Sequence, residues 1–171
     1  GFSSVDGLIG TLQVQHTNFL GRAQRVNVQW QFGGRVNSFD RGWMDPWFMG
    51  KQLTFGVDIF RTTRVQQLGT NLDAYESHNT GFSLTAGPRF SDIYNLLFTY
   101  SYANTVRDSL DPNLDQASRE LILGPAAAAD PTITSFHAIK SNLTEQLIRD
   151  TRDNQFDPQR GQRTSLAITE G

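Results

Sequence analysis

Any chemistry in this 171-residue chain would have to come from three histidines, an aspartate–arginine cluster, the serines or the glycines. His16, His78 and His137 lie far apart in sequence, and none has a second histidine at the short spacing that sets two imidazoles on one metal ion. No metal site is expected. Arg149, Asp150, Arg152 and Asp153 fall close together and invite an acid–base reading. A tight turn suits them better, because Asp side chains cap turns and arginines face phosphates or carboxylates. The glycines form no G-x-G-x-x-G loop, and no serine sits in a recognisable nucleophile motif with His and Asp companions. No catalytic residue, cofactor or nucleotide is therefore expected, and the chain is not expected to be an enzyme.

Composition narrows the remaining classes. The net charge is −2, and there is no basic stripe, so nucleic acid is not an expected partner. Arginine outnumbers lysine heavily; Lys51 and Lys140 are the lysines. There is no cysteine, hence no disulfide and no thiolate metal site. No apolar run approaches the ~18 residues of a membrane-crossing helix. A mean hydropathy of −0.42 still permits a membrane barrel, in which half of every strand is polar. The length suits one domain spanning 1–171. The chain opens at Gly1 without Met or a signal peptide and is read as a mature product or a partial chain.

The elements that would carry these side chains are strands. In Arg25-Val26-Asn27-Val28-Gln29-Trp30-Gln31-Phe32, apolar residues share one face and polar residues the other, which is the period-two pattern of a strand. Eight such segments are expected, at about 8–17, 24–32, 36–44, 52–62, 80–89, 94–106, 135–151 and 162–170. A Gly33-Gly34 turn tolerant of positive φ follows the second, and Asp45-Pro46 ends the third, where a residue without a backbone donor belongs. A short turn around Ser91-Asp92 follows the fifth. Polar residues 63–79 are expected as a long loop, and 107–134 as a longer irregular region broken at Gly124-Pro125 and Asp130-Pro131, with 118–123 a candidate helical turn.

Alternation on this scale suits either a soluble sandwich or a membrane barrel, apolar toward lipid and polar toward a wet lumen. Long loops after the fourth and sixth strands against compact turns elsewhere favour the barrel, as do strands of about 9–11 residues or more. On that reading Trp30, Trp43, Trp47, Phe48, Tyr94 and Tyr102 lie toward strand ends as interfacial aromatics. Two charges break the lipid face: Arg41 shares a face with Phe39 and Trp43, and Glu145 shares one with Leu143 and Leu147. Either they lie near headgroups or the register shifts there. Met44 and Ile148 are apolar on the lumen face and are expected to pack inside a small barrel or against a plug.

Three turn signals occur in order: Asn18-Phe19-Leu20-Gly21, then Asp45-Pro46-Trp47-Phe48, then 149–161, which contains Arg152, Asp153, Asn154, Phe156, Asp157, Pro158, Arg160 and Gly161. Together they resemble the periplasmic-side turns of the BamA-like outer-membrane assembly barrels, a superfamily that includes TamA and the two-partner-secretion transporters. The opening Gly1-Phe2-Ser3 with Asp6-Gly7 resembles the end of that barrel's first strand and its first outer hairpin. The resemblance implies an all-β, antiparallel, up-and-down transmembrane barrel with eight strands present. These are either half of a sixteen-stranded barrel or a small closed eight-stranded one. No POTRA repeats fall within these residues.

The resemblance further implies a bacterial outer-membrane location and a role in folding and inserting client β-barrel proteins. Its implied partners are outer-membrane lipid, client barrels, the rest of the barrel and other assembly-complex subunits. An unpaired edge at about 8–17 or 162–170 would template an incoming strand. Two alternatives remain. One is a translocating pore lined by Gln13, Gln29, Asp40 and Asp58. The other is a structural membrane barrel without activity of its own.

Overall fold

The computed structural model describes residues 2–3, 7–68, 72–91, 93–130, 132–153 and 158–171. Gly1, Asp6, Asp92, Pro131, Asn154, Phe156 and Asp157, all named above, lie outside the described residues. One antiparallel sheet runs through the chain, each strand pairing with its sequence neighbours. A two-residue β1 (Phe2–Ser3) precedes β2 (Gly7–Phe19), β3 (Gln24–Gly33), β4 (Val36–Asp45), β5 (Leu53–Leu68), β6 (Leu72–Pro88), β7 (Tyr94–Asp108), β8 (Phe136–Asp150) and β9 (Arg163–Glu170). Two helices, α1 (Gln116–Leu123) and α2 (Ala126–Ala129), lie between β7 and β8.

Register carries the alternation across the sheet. Val14, Val28, Arg41, Ile59, Phe82, Tyr102 and Ser141 lie opposite one another in turn. So do His16, Val26, Trp43, Val57, Leu84, Tyr100 and Leu143. This face is apolar and outward: Val14 is 68% and Ile59 56% exposed. The opposite face carries Gln15, Asn27, Gly42, Asp58, Ser83, Ser101 and Asn142 in one row. Met44 and Ile148 lie on this inner face, Met44 opposite Gly56 and Ile148 between Asn95 and Ser165.

Two expectations need correction. Residues 63–68 and 72–79 are not a loop. β5 and β6 continue through them as a hairpin, with Arg64 opposite Ser77 and Val65 opposite Glu76. Polar side chains on both faces hide a strand from a periodicity reading, yet the paired backbone satisfies itself whatever the side chains. Gly33 is the last residue of β3 and holds no left-handed backbone. The sheet is also open, since no described residue of β9 pairs with β1 or β2. Of the two barrel forms, the open half is therefore the one seen. A closed eight-stranded barrel fills its interior with side chains, whereas here inner-face residues such as Asn27, Asp40 and Asp58 stay partly exposed.

The 109–135 connection folds as a cap. Asp115 caps α1, its Oδ2 accepting from the Ser118 amide at 3.3 Å, and Gly124 (φ 90°) ends it. Leu114, Ile122, Leu123 and Ala127 bury against Ala74, beside Tyr75 and Phe136. Ala74 itself is set out of the ladder where the β5–β6 register shifts. Arg107 is held between the Tyr75 and Phe136 rings, at 5.9 and 5.1 Å, and donates to the Ile122 carbonyl at 2.8 Å. The polar chain end of β7 thereby anchors the cap.

Gly81 tests the packing of the long central strands. A Cβ there would collide with the Tyr102 carbonyl oxygen and approach the Phe60 ring to 2.7 Å. Gly81→Val is expected to destabilise the folded chain by about 1–3 kcal/mol, measured by urea unfolding from vesicles, as overpacking does elsewhere. Thr80→Val, one residue away on the outward face, should change little.

Candidate functional site

The turn motifs fall at one end of the sheet. In the 18–23 turn, Leu20 (φ 55°), Gly21 (φ 70°) and Ala23 (φ 56°) take left-handed backbone, and the Asn18 Oδ1 accepts from the Ala23 amide at 2.8 Å. Gly21 and Arg22 amides donate to the Asn18 and Phe19 carbonyls. Asp45 closes the next turn, its Oδ1 accepting from the Trp47 amide at 2.8 Å. Its Oδ2 accepts from the side-chain Nε2 of buried Gln24 at 2.8 Å, which ties the start of β3 to the end of β4. Pro46 leads into a short turn in which Phe48 stacks on Phe55 at 4.7 Å and meets Trp43 edge-on at 6.4 Å.

The turn after β8 is held by carboxylates. Arg152 donates to Asp150 through Nε at 2.9 Å and Nη2 at 2.8 Å. These bonds hold the Asp150 carboxyl down at about 2 and raise Arg152. Asp153 accepts from the Gln159 and Arg160 amides at 3.1 and 3.2 Å. Gly161 (φ 87°) returns the chain so close to the Thr151 carbonyl that no Cβ fits. Pro158 is exposed beside it. Asp150 and Asp153 thus hold the described part of this turn together.

The outward aromatics divide between two levels. Trp43, Trp47 and Tyr94 lie near the turn end, with Trp47 44% and Tyr94 42% exposed. Trp30 lies farther from the turns, its Nε1 donating to Asn37 Oδ1 at 3.1 Å. Tyr102 is mid-strand rather than at a strand end, stacked on Phe82 at 5.7 Å. The reason is that β7 runs on past the apolar rows to Asp108. Arg41 and Glu145 are on the outward face, so the register holds there: Arg41 is opposite Val28 and Ile59, and Glu145 opposite Phe98 and Ile168.

The inner face is a hydrogen-bonded polar surface. Gln13 donates to Asn27, and Asn27 donates to Asp40, each at 3.3 Å. Ser83 donates to Asp58 at 3.4 Å, and the Thr85 and Thr99 hydroxyls meet at 3.1 Å. Of the four lumen residues named from the sequence, Gln13, Gln29 and Asp40 fall in one row, with Asp58 a diagonal step away.

One cluster was not legible in the sequence. His78 Nε2 lies 3.3 Å from Asp108 and 3.5 Å from Glu76, and its Nδ1 is 3.1 Å from the Thr63 hydroxyl. Cross-strand pairing assembles it on the projecting hairpin, where the Glu76-to-His78 spacing is the single local signal. His16 bonds the Asn18 amide, and His137 stands opposite Val106; neither joins that cluster.

The sheet ends in two open edges. β1 covers Gly7 and Leu8 of β2, and from Gly10 onward that strand has no ladder partner on its outer side among the described residues. β9 is exposed along its whole length.

The Omp85 superfamily domain matches residues 18–170. The chain belongs to the Omp85 superfamily. Among solved structures it is similar to BamA from Haemophilus ducreyi lacking POTRA domains 1–3, with a TM-score of 0.59 at 13% identity. That match covers 98% of this chain and 32% of the BamA chain, so the sequence spans about a third of that structure's length. No curated protein matches it. The open, up-and-down sheet is thus part of an outer-membrane barrel of the Omp85 type.

Acid should loosen the last turn of this Omp85 unit. The bonded Asp150 carboxyl titrates below its ordinary 3.8, so its contribution is whole above that value and is lost as pH falls toward about 2. Carbon-detected NMR is expected to give a midpoint near 2, with amide exchange at Arg152 rising over that interval. Arg152→Gln should return the midpoint to the ordinary range.

Proposed function

We propose that this chain supplies part of an outer-membrane barrel that folds and inserts client β-barrel proteins, without catalysis. The observation that carries the reading is the exposed edge of β9 in a sheet whose outward face is apolar. An edge strand offers a row of unpaired backbone donors and acceptors, and in hydrocarbon these groups have few other partners. An incoming strand that pairs there gains its ladder before leaving the membrane interface. The outward belt meets lipid of the bacterial outer membrane. The turn motifs, held rigid by Asn18, Asp45 and Asp150, set strand positions at the periplasmic side and offer a surface to assembly subunits. The remaining barrel strands or a client would occupy the edges.

A translocating pore is the second reading, and the hydrogen-bonded inner face around Gln13, Asn27, Asp40 and Asp58 favours it. Two measurements separate the readings. Vesicles holding the chain should speed insertion of a client barrel while remaining silent in single-channel recording. A steady conductance without faster insertion would support the pore, and silence in both would leave a structural barrel. Because the chain has no cysteine, Ala167→Cys on β9 gives a unique thiol. It should cross-link to a cysteine in a client's terminal strand, whereas Ala103→Cys, paired on both sides in β7, should not.

A further inference from the structure

Arg41 is unaccounted for by the barrel reading alone. It lies on the outward face between Val28 and Ile59. Among the described residues neither Arg41 nor Arg61 makes an ion pair with a carboxylate. The Arg41 guanidinium lies over the Phe39 ring, 4.8 Å from its centroid. Phe39 is directly opposite Arg61. The Arg41 side chain therefore leans along β4, away from the turns, toward the second arginine. Residues in this diagonal relation have α-carbons about 7–8 Å apart, well within the reach of two long side chains toward one anion. Long cationic side chains on a lipid face do bend in this way toward the headgroups.

Next to this pair is apolar space of the complementary kind. An open groove of about 510 Å3 runs beside it, lined by Val57, Ile59, Phe82 and Tyr102. A second groove of about 230 Å3 shares Val57 and Ile59 and has Arg41 itself in its wall. A cation in the wall of an apolar groove, with a second one diagonal step along the sheet, matches an amphiphile with an anionic head and a hydrocarbon tail. Guanidinium forks bind phosphate through paired charge-assisted hydrogen bonds. A zwitterionic lipid neutralises much of its own phosphate, so the charge pattern selects a net-anionic one.

We infer that Arg41 and Arg61 together hold the phosphate of an anionic membrane lipid, whose acyl chain lies in the groove along Ile59 and Phe82. This rests on the outward face meeting lipid. The site anchors one lipid against β4 and β5, away from the open edges.

The test uses the whole chain inserted into mixed phosphatidylglycerol and phosphatidylcholine vesicles, then extracted gently for native mass spectrometry. Phosphatidylglycerol should be retained over phosphatidylcholine on the order of tenfold, and the R41Q/R61Q variant should abolish that preference. R149Q, which alters an outward arginine at the turn end of β8, should leave it intact. R41K/R61K should keep part of it, since the charge survives and the paired guanidinium bonds do not. Bromination of the phosphatidylglycerol acyl chains should quench tryptophan fluorescence more than the same label on phosphatidylcholine, with Trp43 two residues from Arg41. Equal retention of both lipids by the inserted native chain, or an unchanged preference in R41Q/R61Q, would overturn the inference. Failure of the native chain to insert into any vesicle would overturn the membrane reading, and this site with it.

Discussion

A strand in hydrocarbon must have every backbone N–H and C=O paired, because no water is present to take their place. The rest of this structure answers to that constraint. It explains why the strands run in strict sequence order, each hydrogen-bonded to its neighbours. It explains why one face of each strand can be apolar while the other carries Gln, Asn, Asp and Thr, since ladder bonds leave both sets of side chains free to choose their surroundings. It also makes the two edges the places where the sheet is chemically incomplete.

Away from the apolar rows the constraint relaxes, and the structure changes character. The far ends of β5 and β6 carry polar residues on both faces and stand as a hairpin, buttressed by His78 between Glu76 and Asp108. The cap around α1 and α2 is an ordinary small hydrophobic core, closed over Ala74 and pinned by Arg107. At the opposite end, carboxylates do the fastening, as at Asp45 and Asp150. The two ends therefore differ in chemistry: apolar packing and a hairpin on one side, charged and capped turns on the other.

Much of this could be read from the sequence because period two is a strong signal wherever one face is apolar. β3 is the clearest case, and its expected bounds differ from the structure by one residue. The signal fails where both faces are wet, which is why residues 63–79 read as a loop. α1 could be located only loosely, although Asp115 and Gly124 bracket it, because an eight-residue helix leaves little periodicity to see. Contacts between residues far apart in the sequence were invisible: Gln24 with Asp45 and His78 with Asp108 depend on register, as does the diagonal placing of Arg41 and Arg61. The openness of the sheet was also beyond reach, since both a half-barrel and a closed small barrel satisfy the same alternation.

The division of the sheet into a lipid face and a wet face is most directly tested along β5. Nitroxide labels placed singly at residues 54–60 report collisions with oxygen, which partitions into hydrocarbon, and with a water-soluble nickel complex. In vesicles, oxygen collisions should peak at 55, 57 and 59 and nickel collisions at 54, 56, 58 and 60, out of phase. The same phase for both probes, or peaks of oxygen access at the Asp58 side, would contradict the account.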